Sequence, residues 1–196
     1  MAVTRIATSS VKTPAKYISM LGGNASYVPP AFESIATVTA AGGETSLSFT
    51  SIPSTYKSLQ IRGIGRDTAA SSNMRVQFNS DTGANYTYHW LTGDGSAASA
   101  TGSTGSNFMI IASYPGSAAT ANIFTTTLID IVDYASTTKN KTLRALSGCD
   151  SNATGVSQIR LMSGGWFNTS AITSIQILIP VSAVAGTTFA LYGIKG

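Results

Sequence analysis

Residues 74–79 read Met-Arg-Val-Gln-Phe-Asn, in which the apolar Met74, Val76 and Phe78 alternate with three polar residues. Successive side chains of a β-strand point to opposite faces, so this strict alternation predicts a strand with one buried and one solvated face. The turn sequence Ser-Asp-Thr-Gly at residues 80–83 separates it from the next predicted strand, residues 86–91. The segments on either side of residues 74–79 follow the same pattern.

In all, about eleven segments of the chain are predicted to be short β-strands. Each is alternating, β-branched or continuously apolar, and most are bounded by Gly, Pro, Asn or Asp. No segment has the length and periodicity of a helix. Besides residues 74–79, the predicted strands are residues 34–40, 44–52, 59–64, 86–91, 107–114, 122–134, 142–149, 156–162, 173–179 and 188–194.

The predicted fold class is all-β, an antiparallel two-sheet β-sandwich of jelly-roll type preceded by an extended N-terminal arm. Parallel sheets need crossover helices, which this pattern does not supply, and an up-and-down barrel is the alternative. The arm is residues 1–30 and the sandwich domain is residues 31–196. The low-complexity stretch GDGSAASATGSTGS at residues 93–106 is predicted to be an exposed loop.

The composition excludes several classes of protein. Of the 196 residues, 53 are Ser or Thr, only 10% are charged and only two are Glu, which does not fit a helical bundle or a coiled coil. A hydrophobic content of 43% argues against a wholly disordered chain. Cys149 is the only cysteine, so no disulfide can form within the chain. The sequence shows neither a signal peptide nor a run of about 20 apolar residues, so we expect no membrane insertion.

The formal net charge of +4 is concentrated in the arm, where three basic residues and no acidic ones contribute +3. Three cations spread along the arm are too sparse for a nucleic-acid surface, and no nucleic-acid partner is predicted. The arm also carries apolar side chains without a regular period, which predicts a segment that docks on a partner or a neighbouring subunit; a disordered leader is the alternative. The docking candidates are Arg5, Ile6, Val11, Lys12, Lys16 and Tyr17.

The sequence offers little for catalysis. His89 is the only histidine, so neither a histidine metal cluster nor a Ser–His–Asp triad is favoured. Asp130 and Asp133 are three residues apart on a predicted strand and would point to opposite faces. No phosphate-binding or complete dinucleotide-binding motif is present. We therefore expect no enzymatic activity, no cofactor and no metal.

The aromatic residues form the most informative cluster. Tyr86, Tyr88 and Trp90 share one face of a predicted strand, and Trp166 follows a Gly-Gly pair at the end of another. Most aromatic side chains are core residues, which is the first interpretation. The alternative is a platform of flat rings that stacks on sugars, with these four residues as glycan contacts.

Five stretches together resemble a β-sandwich module that recurs in virion proteins of tailed bacteriophages, notably those of aquatic bacteria and cyanobacteria. The resemblance covers nearly all of residues 32–196, and residues 5–12 look like the leader of stand-alone versions. The stretches are SIATVTAAGGETSLSFTSIPSTYKSLQIRGIGR (34–66), VQFNSDTGANYTYHWLTGDGS (76–96), IDIVDYASTTKNKTLRAL (129–146), SGGWFNTSAITSIQILI (163–179) and TFALYGIKG (188–196).

The resemblance implies a homotrimeric, jelly-roll-like module on the virion surface, made in the host cytoplasm and without enzymatic motifs. The module would belong to a tail fibre, a head fibre or a capsid decoration, with the arm binding other virion proteins. Two roles stay open: attachment to a host-surface glycan as a fibre tip or knob, or decoration that stabilises the head. The apolar runs at residues 108–111 and 175–179 also favour an oligomer, because strands apolar on both faces need cover on both.

Overall fold

The computed structural model describes residues 31–151 and 157–196, and these form twelve β-strands and no helix. Phe32–Gly196 is one compact unit. The six arm candidates, from Arg5 to Tyr17, lie outside the described residues. Within residues 31–151 and 157–196, no helix has the length and hydrophobicity that a membrane span requires. The strands are β1 (Phe32–Thr39), β2 (Ser46–Phe49), β3 (Ser58–Gly65), β4 (Ser71–Phe78), β5 (Tyr86–Gly93), β6 (Ala98–Ser106), β7 (Met109–Pro115), β8 (Thr125–Val132), β9 (Lys141–Cys149), β10 (Gln158–Trp166), β11 (Ile175–Leu178) and β12 (Thr188–Ile194).

The strands form two antiparallel sheets, which confirms the predicted sandwich. The large sheet has the order β1-β12-β3-β8-β9-β10-β5-β6, and the small sheet has the order β2-β11-β4-β7. The pairs β1–β12, β2–β11, β3–β8 and β4–β7 nest inside one another along the chain. This folded-over ribbon is the jelly-roll arrangement, and it makes the barrel alternative wrong, because neighbours in an up-and-down barrel are consecutive strands.

Two hairpin insertions widen the large sheet from four strands to eight. The hairpin β5–β6 follows β4 and the hairpin β9–β10 follows β8, and the two hairpins pair with each other through β5 and β10. The prediction of a loop over residues 93–106 is therefore wrong: only the turn between β5 and β6 is a loop. The small residues of β6 form a strand because β5 offers backbone partners along most of its length.

The core lies between the inner faces of the two sheets. Met74, Val76 and Phe78 of β4 are completely buried, as the alternation predicts. Across the core, Ile61 of β3 and Ile129 of β8 are also completely buried. Together with their neighbours they form one hydrophobic cluster in which side chains of both sheets take part.

The two apolar runs that favoured an oligomer are covered by the chain itself. All seven residues of β7 are buried, and this strand packs against β5, β8, β9 and β10 of the large sheet. Ile175, Ile177 and Ile179 are also buried. The expectation that a neighbouring subunit must cover the first run is therefore wrong, because the widened sheet covers β7. In the second run Leu178 is half-buried, and the oligomer itself stays a prediction.

Candidate functional site

Two of the four aromatic glycan candidates are core residues. Tyr86 and Trp166 are at most 1% exposed, and their rings stack with centroids 6.3 Å apart. Phe78 meets the Trp166 ring edge to face at 5.6 Å. The prediction that Tyr86 and Trp166 contact a glycan is wrong, because both side chains pack against Phe78 of the small sheet and are not in solvent.

The other two candidates, Tyr88 and Trp90, are half-buried, and their ring faces are occupied. Tyr88 stacks on Trp90 at 5.7 Å and on Phe108 at 6.4 Å. Arginines cover the outer rings, with the Arg160 guanidinium 5.1 Å from the Trp90 centroid and that of Arg75 4.3 Å from the Phe108 centroid. Such cation–π contacts stabilise the stack, so these rings do not form an open sugar platform.

Arg160 instead connects the aromatic stack to a polar cleft of about 350 Å³, hereafter the polar cleft. Its Nη1 donates to Asn73 Oδ1 at 2.8 Å and its Nε donates to Gln158 Oε1 at 2.7 Å. The cleft exists because the hairpin insertions extend past the end of the small sheet. Its lining residues come from or adjoin four strands: Ser71, Ser72 and Asn73 (β4), Thr92 and Asp94 (β5), Ser113 and Tyr114 (β7), and Ser157, Gln158 and Arg160 (β10).

Two hydroxyl groups in the cleft lining are buried and have no hydrogen-bond partner among the described residues. They belong to Tyr114, which is 1% exposed, and to Thr92. Burial, together with the charge of Asp67, raises the pKa of Tyr114 well above its ordinary value, so its hydroxyl remains a donor. A buried polar group without a partner costs about 1–3 kcal/mol of stability.

The lining is mostly neutral, which decides what the cleft can do. Asp94 is its only carboxylate among the described residues, and it accepts hydrogen bonds from the backbone N–H groups of Ser96 and Ala97. These bonds lower the pKa of Asp94 to about 2, so it does not act as a proton donor near neutral pH. The arrangement offers hydrogen bonds to a ligand and supplies no base or nucleophile pair.

The remaining residues considered for chemistry lie elsewhere and apart. His89 is exposed on the outer face of β5, opposite Ser163. Asp130 pairs with Arg144 at 2.9 Å, whereas Asp133 pairs with Lys139 at 2.8 Å. Across residues 31–151 and 157–196, no three His, Cys, Asp or Glu side chains gather as a metal site would need.

The sequence pattern predicted none of the cleft residues. Asn73 and Arg160 are 87 positions apart, and small hydroxyl and amide side chains are too frequent in this chain to mark a site. Among the cleft residues, Arg160 alone was a charged residue within a predicted strand. Comparison of the chain with protein-family models, with curated proteins and with solved structures finds no match.

Proposed function

We propose that this protein is a surface-exposed structural module of a bacteriophage virion, a homotrimer that is anchored by its arm and attaches to a host-surface glycan. Three features support the proposal: the resemblance of residues 32–196 to phage virion modules, the high content of hydroxyl side chains, and the jelly-roll fold. Viral capsid and lectin domains share this architecture. In this proposal the module is a fibre tip or knob.

The polar cleft is the observation that carries glycan attachment. Its neutral hydroxyl and amide groups, among them those of Ser71, Asn73 and Thr92, match the donors and acceptors of a saccharide. Its volume of about 350 Å³ is at the lower end of the range for ligand pockets, which suits one or two sugar rings. Three copies on one particle component would strengthen a weak contact by avidity.

Glycan binding is tested with the purified full chain on an array of neutral, amino and deoxy sugars, followed by calorimetric titration of the strongest binder. Thr92→Val and Asn73→Ala should each weaken binding at least tenfold. Thr126→Val, an exposed threonine on the outer face of β8, is the matched control and should bind as the parent does. Absence of binding to every sugar, or equal binding by all variants, contradicts a saccharide site in the cleft.

Anchoring by the arm is tested on particles. A chain lacking residues 1–30 should still fold, since Phe32–Gly196 is a compact unit by itself, but should fail to join the virion. Normal incorporation of the shortened chain would contradict the docking role of Arg5, Lys12 and their neighbours.

The second candidate function is a capsid decoration that stabilises the head without binding a receptor. It is favoured by the exposed apolar side chains on the outer face of the large sheet, which suit packing on another protein. Particle imaging with a labelled chain separates the two functions. A head location together with loss of head stability in particles lacking the protein favours decoration, and a fibre-tip location favours attachment.

A further inference from the structure

Four leucines lie side by side across the outer face of the large sheet. Leu91 of β5 is directly opposite Leu161 of β10, Leu161 is opposite Leu146 of β9, and Leu146 is opposite Leu128 of β8. Directly opposed residues of antiparallel strands have Cβ atoms about 5 Å apart, so the four side chains form one continuous apolar ridge. We refer to these four residues as the leucine row.

Three of the four side chains of the leucine row are open to solvent in the single chain, and Leu128 is half-buried. Leu91, Leu161 and Leu146 are 53%, 51% and 46% exposed, and Ile159 beside them is 58% exposed. The outer face of a two-layer sandwich is normally polar, and this chain has abundant Ser and Thr for such positions. Single exposed apolar side chains need no explanation, but a contiguous set in register marks an interaction surface.

The surroundings of the row are compatible with a second copy of the same surface. Leu128, Leu146 and Leu161 border a depression of about 230 Å³, which offers a recess for a side chain of a partner. The Asp130–Arg144 ion pair, at 2.9 Å, forms the rest of its border. Because the two charges balance, the surface presents no net charge there that would repel an identical surface.

The area of this face fits a subunit interface. Eight strands spaced about 4.8 Å apart, each rising about 3.3 Å per residue over some eight residues, present a face of about 800–900 Å². A standard protein interface buries about 800 Å² on each partner, and sheets pack face to face at about 10 Å. An interface of standard size would therefore cover nearly the whole outer face, and the leucine row crosses four of its eight strands.

We propose that the leucine row packs against another copy of this chain and forms the subunit interface of the oligomer. This inference rests on the self-association in the proposed function and names a surface for it. Two identical faces in contact are related by a two-fold axis and form a pair, so a homotrimer built on the leucine row would instead bring three rows together around one axis. The leucine row is now the proposed interface, in place of the two apolar runs at residues 108–111 and 175–179.

The test is the mass of the full chain in solution, measured by sedimentation over a range of micromolar concentrations. Leu161→Arg should weaken association at least tenfold, and Leu91→Ser, at the end of the row on the other hairpin, should weaken it less. Val181 lies outside the row and is 53% exposed, as much as the leucines. Val181→Ser is therefore the control and should leave the mass unchanged. Circular dichroism establishes that each variant is folded.

The outcomes separate the interface from the trimer. An oligomer of another size that dissociates in Leu161→Arg supports the interface and overturns the trimer. A trimer that survives Leu161→Arg and Leu91→Ser, or that dissociates only when residues 1–30 are removed, overturns the interface alone. A parent chain that is monomeric at every concentration overturns both, while glycan binding by the cleft is still measured separately.

Discussion

Trp166 donates its indole Nε1 hydrogen to Asp81 Oδ2 at 2.7 Å, which ties the end of β10 to the turn after β4. The same oxygen accepts from Asn85 Nδ2 at 2.9 Å, and the other oxygen accepts from the Gly83 N–H at 2.8 Å. Burial alone would raise the pKa of Asp81, but these hydrogen bonds outweigh it and lower the pKa. The tryptophan is thus a structural residue that holds the two sheets at one end of the sandwich.

Trp166→Phe should therefore lower the free energy of unfolding by about 1–3 kcal/mol, because it removes one donor from the half-buried Asp81 carboxylate and leaves a space where the larger indole packed. The measurement is urea denaturation followed by circular dichroism. Phe167→Leu alters the adjacent, 58% exposed ring and should change the stability little. Equal losses in the two variants would show that the indole hydrogen bond is unimportant.

Alkaline pH should destabilise the fold through Tyr86. Burial raises the pKa of Tyr86 to about 12, and the charge of Asp81 also raises it. The hydrogen bond with the Phe78 backbone opposes this shift. Because the folded-state pKa exceeds the ordinary value of about 10, this contribution is complete below pH 10 and is lost as pH rises towards 12. Unfolding free energies measured across this interval should fall less steeply in Tyr86→Phe than in the parent, and identical slopes would contradict the assignment.

Arg66 organises the connection between β7 and β8. Its guanidinium is buried and donates to four backbone carbonyl oxygens at 2.7–3.2 Å, those of Gly116, Ala119, Thr120 and Ile123. Arg66→Lys cannot reproduce this planar set of donors and should destabilise the protein by about 2–4 kcal/mol. Arg62→Lys, on the outer face of β3, which ends just before Arg66, is the control for thermal unfolding. A comparable shift in melting temperature for both variants would argue against this role.

Gly63 permits the close approach of β3 and β12. A Cβ atom at this position would lie 2.2 Å from a Phe189 ring carbon and 2.5 Å from the Thr188 carbonyl oxygen. Gly63→Ala should therefore cost about 1–3 kcal/mol of stability through overpacking. Gly148→Ala, in β9 of the same sheet, meets nothing within 4 Å and should be nearly neutral in the same denaturation experiment. The prediction fails if the two substitutions have similar effects.

The sequence predicted those parts of the fold in which burial follows a local pattern. Met74, Val76 and Phe78 of β4 all face the core, as their alternation predicts. The opposite face is not solvated throughout, because Gln77 is also buried and donates its Nε2 hydrogen to the Asn107 carbonyl oxygen. The strand β6 was missed because its sequence has no alternation and only its two threonines favour a strand. Its conformation depends on β5 alone.

The candidate site was less predictable than the fold. The shared face of Tyr86, Tyr88 and Trp90 is real, but its cover comes from elements distant in sequence, including Phe108 and Arg160. No local period encodes such contacts. The polar cleft likewise joins the ends of β4, β5, β7 and β10, and only the hairpin insertions bring those ends together.

The strand β6 also bears on how the protein behaves when it is crowded. An edge strand exposes backbone groups that can pair with another molecule, and repeated pairing of this kind produces fibrils. This edge carries neither a charge nor a proline, the usual blocks to such pairing, but all its side chains are small and two of its nine residues are Gly. A docking strand would therefore gain backbone hydrogen bonds and almost no side-chain packing, which disfavours open-ended growth. The purified chain should stay dispersed at high concentration rather than form fibrils.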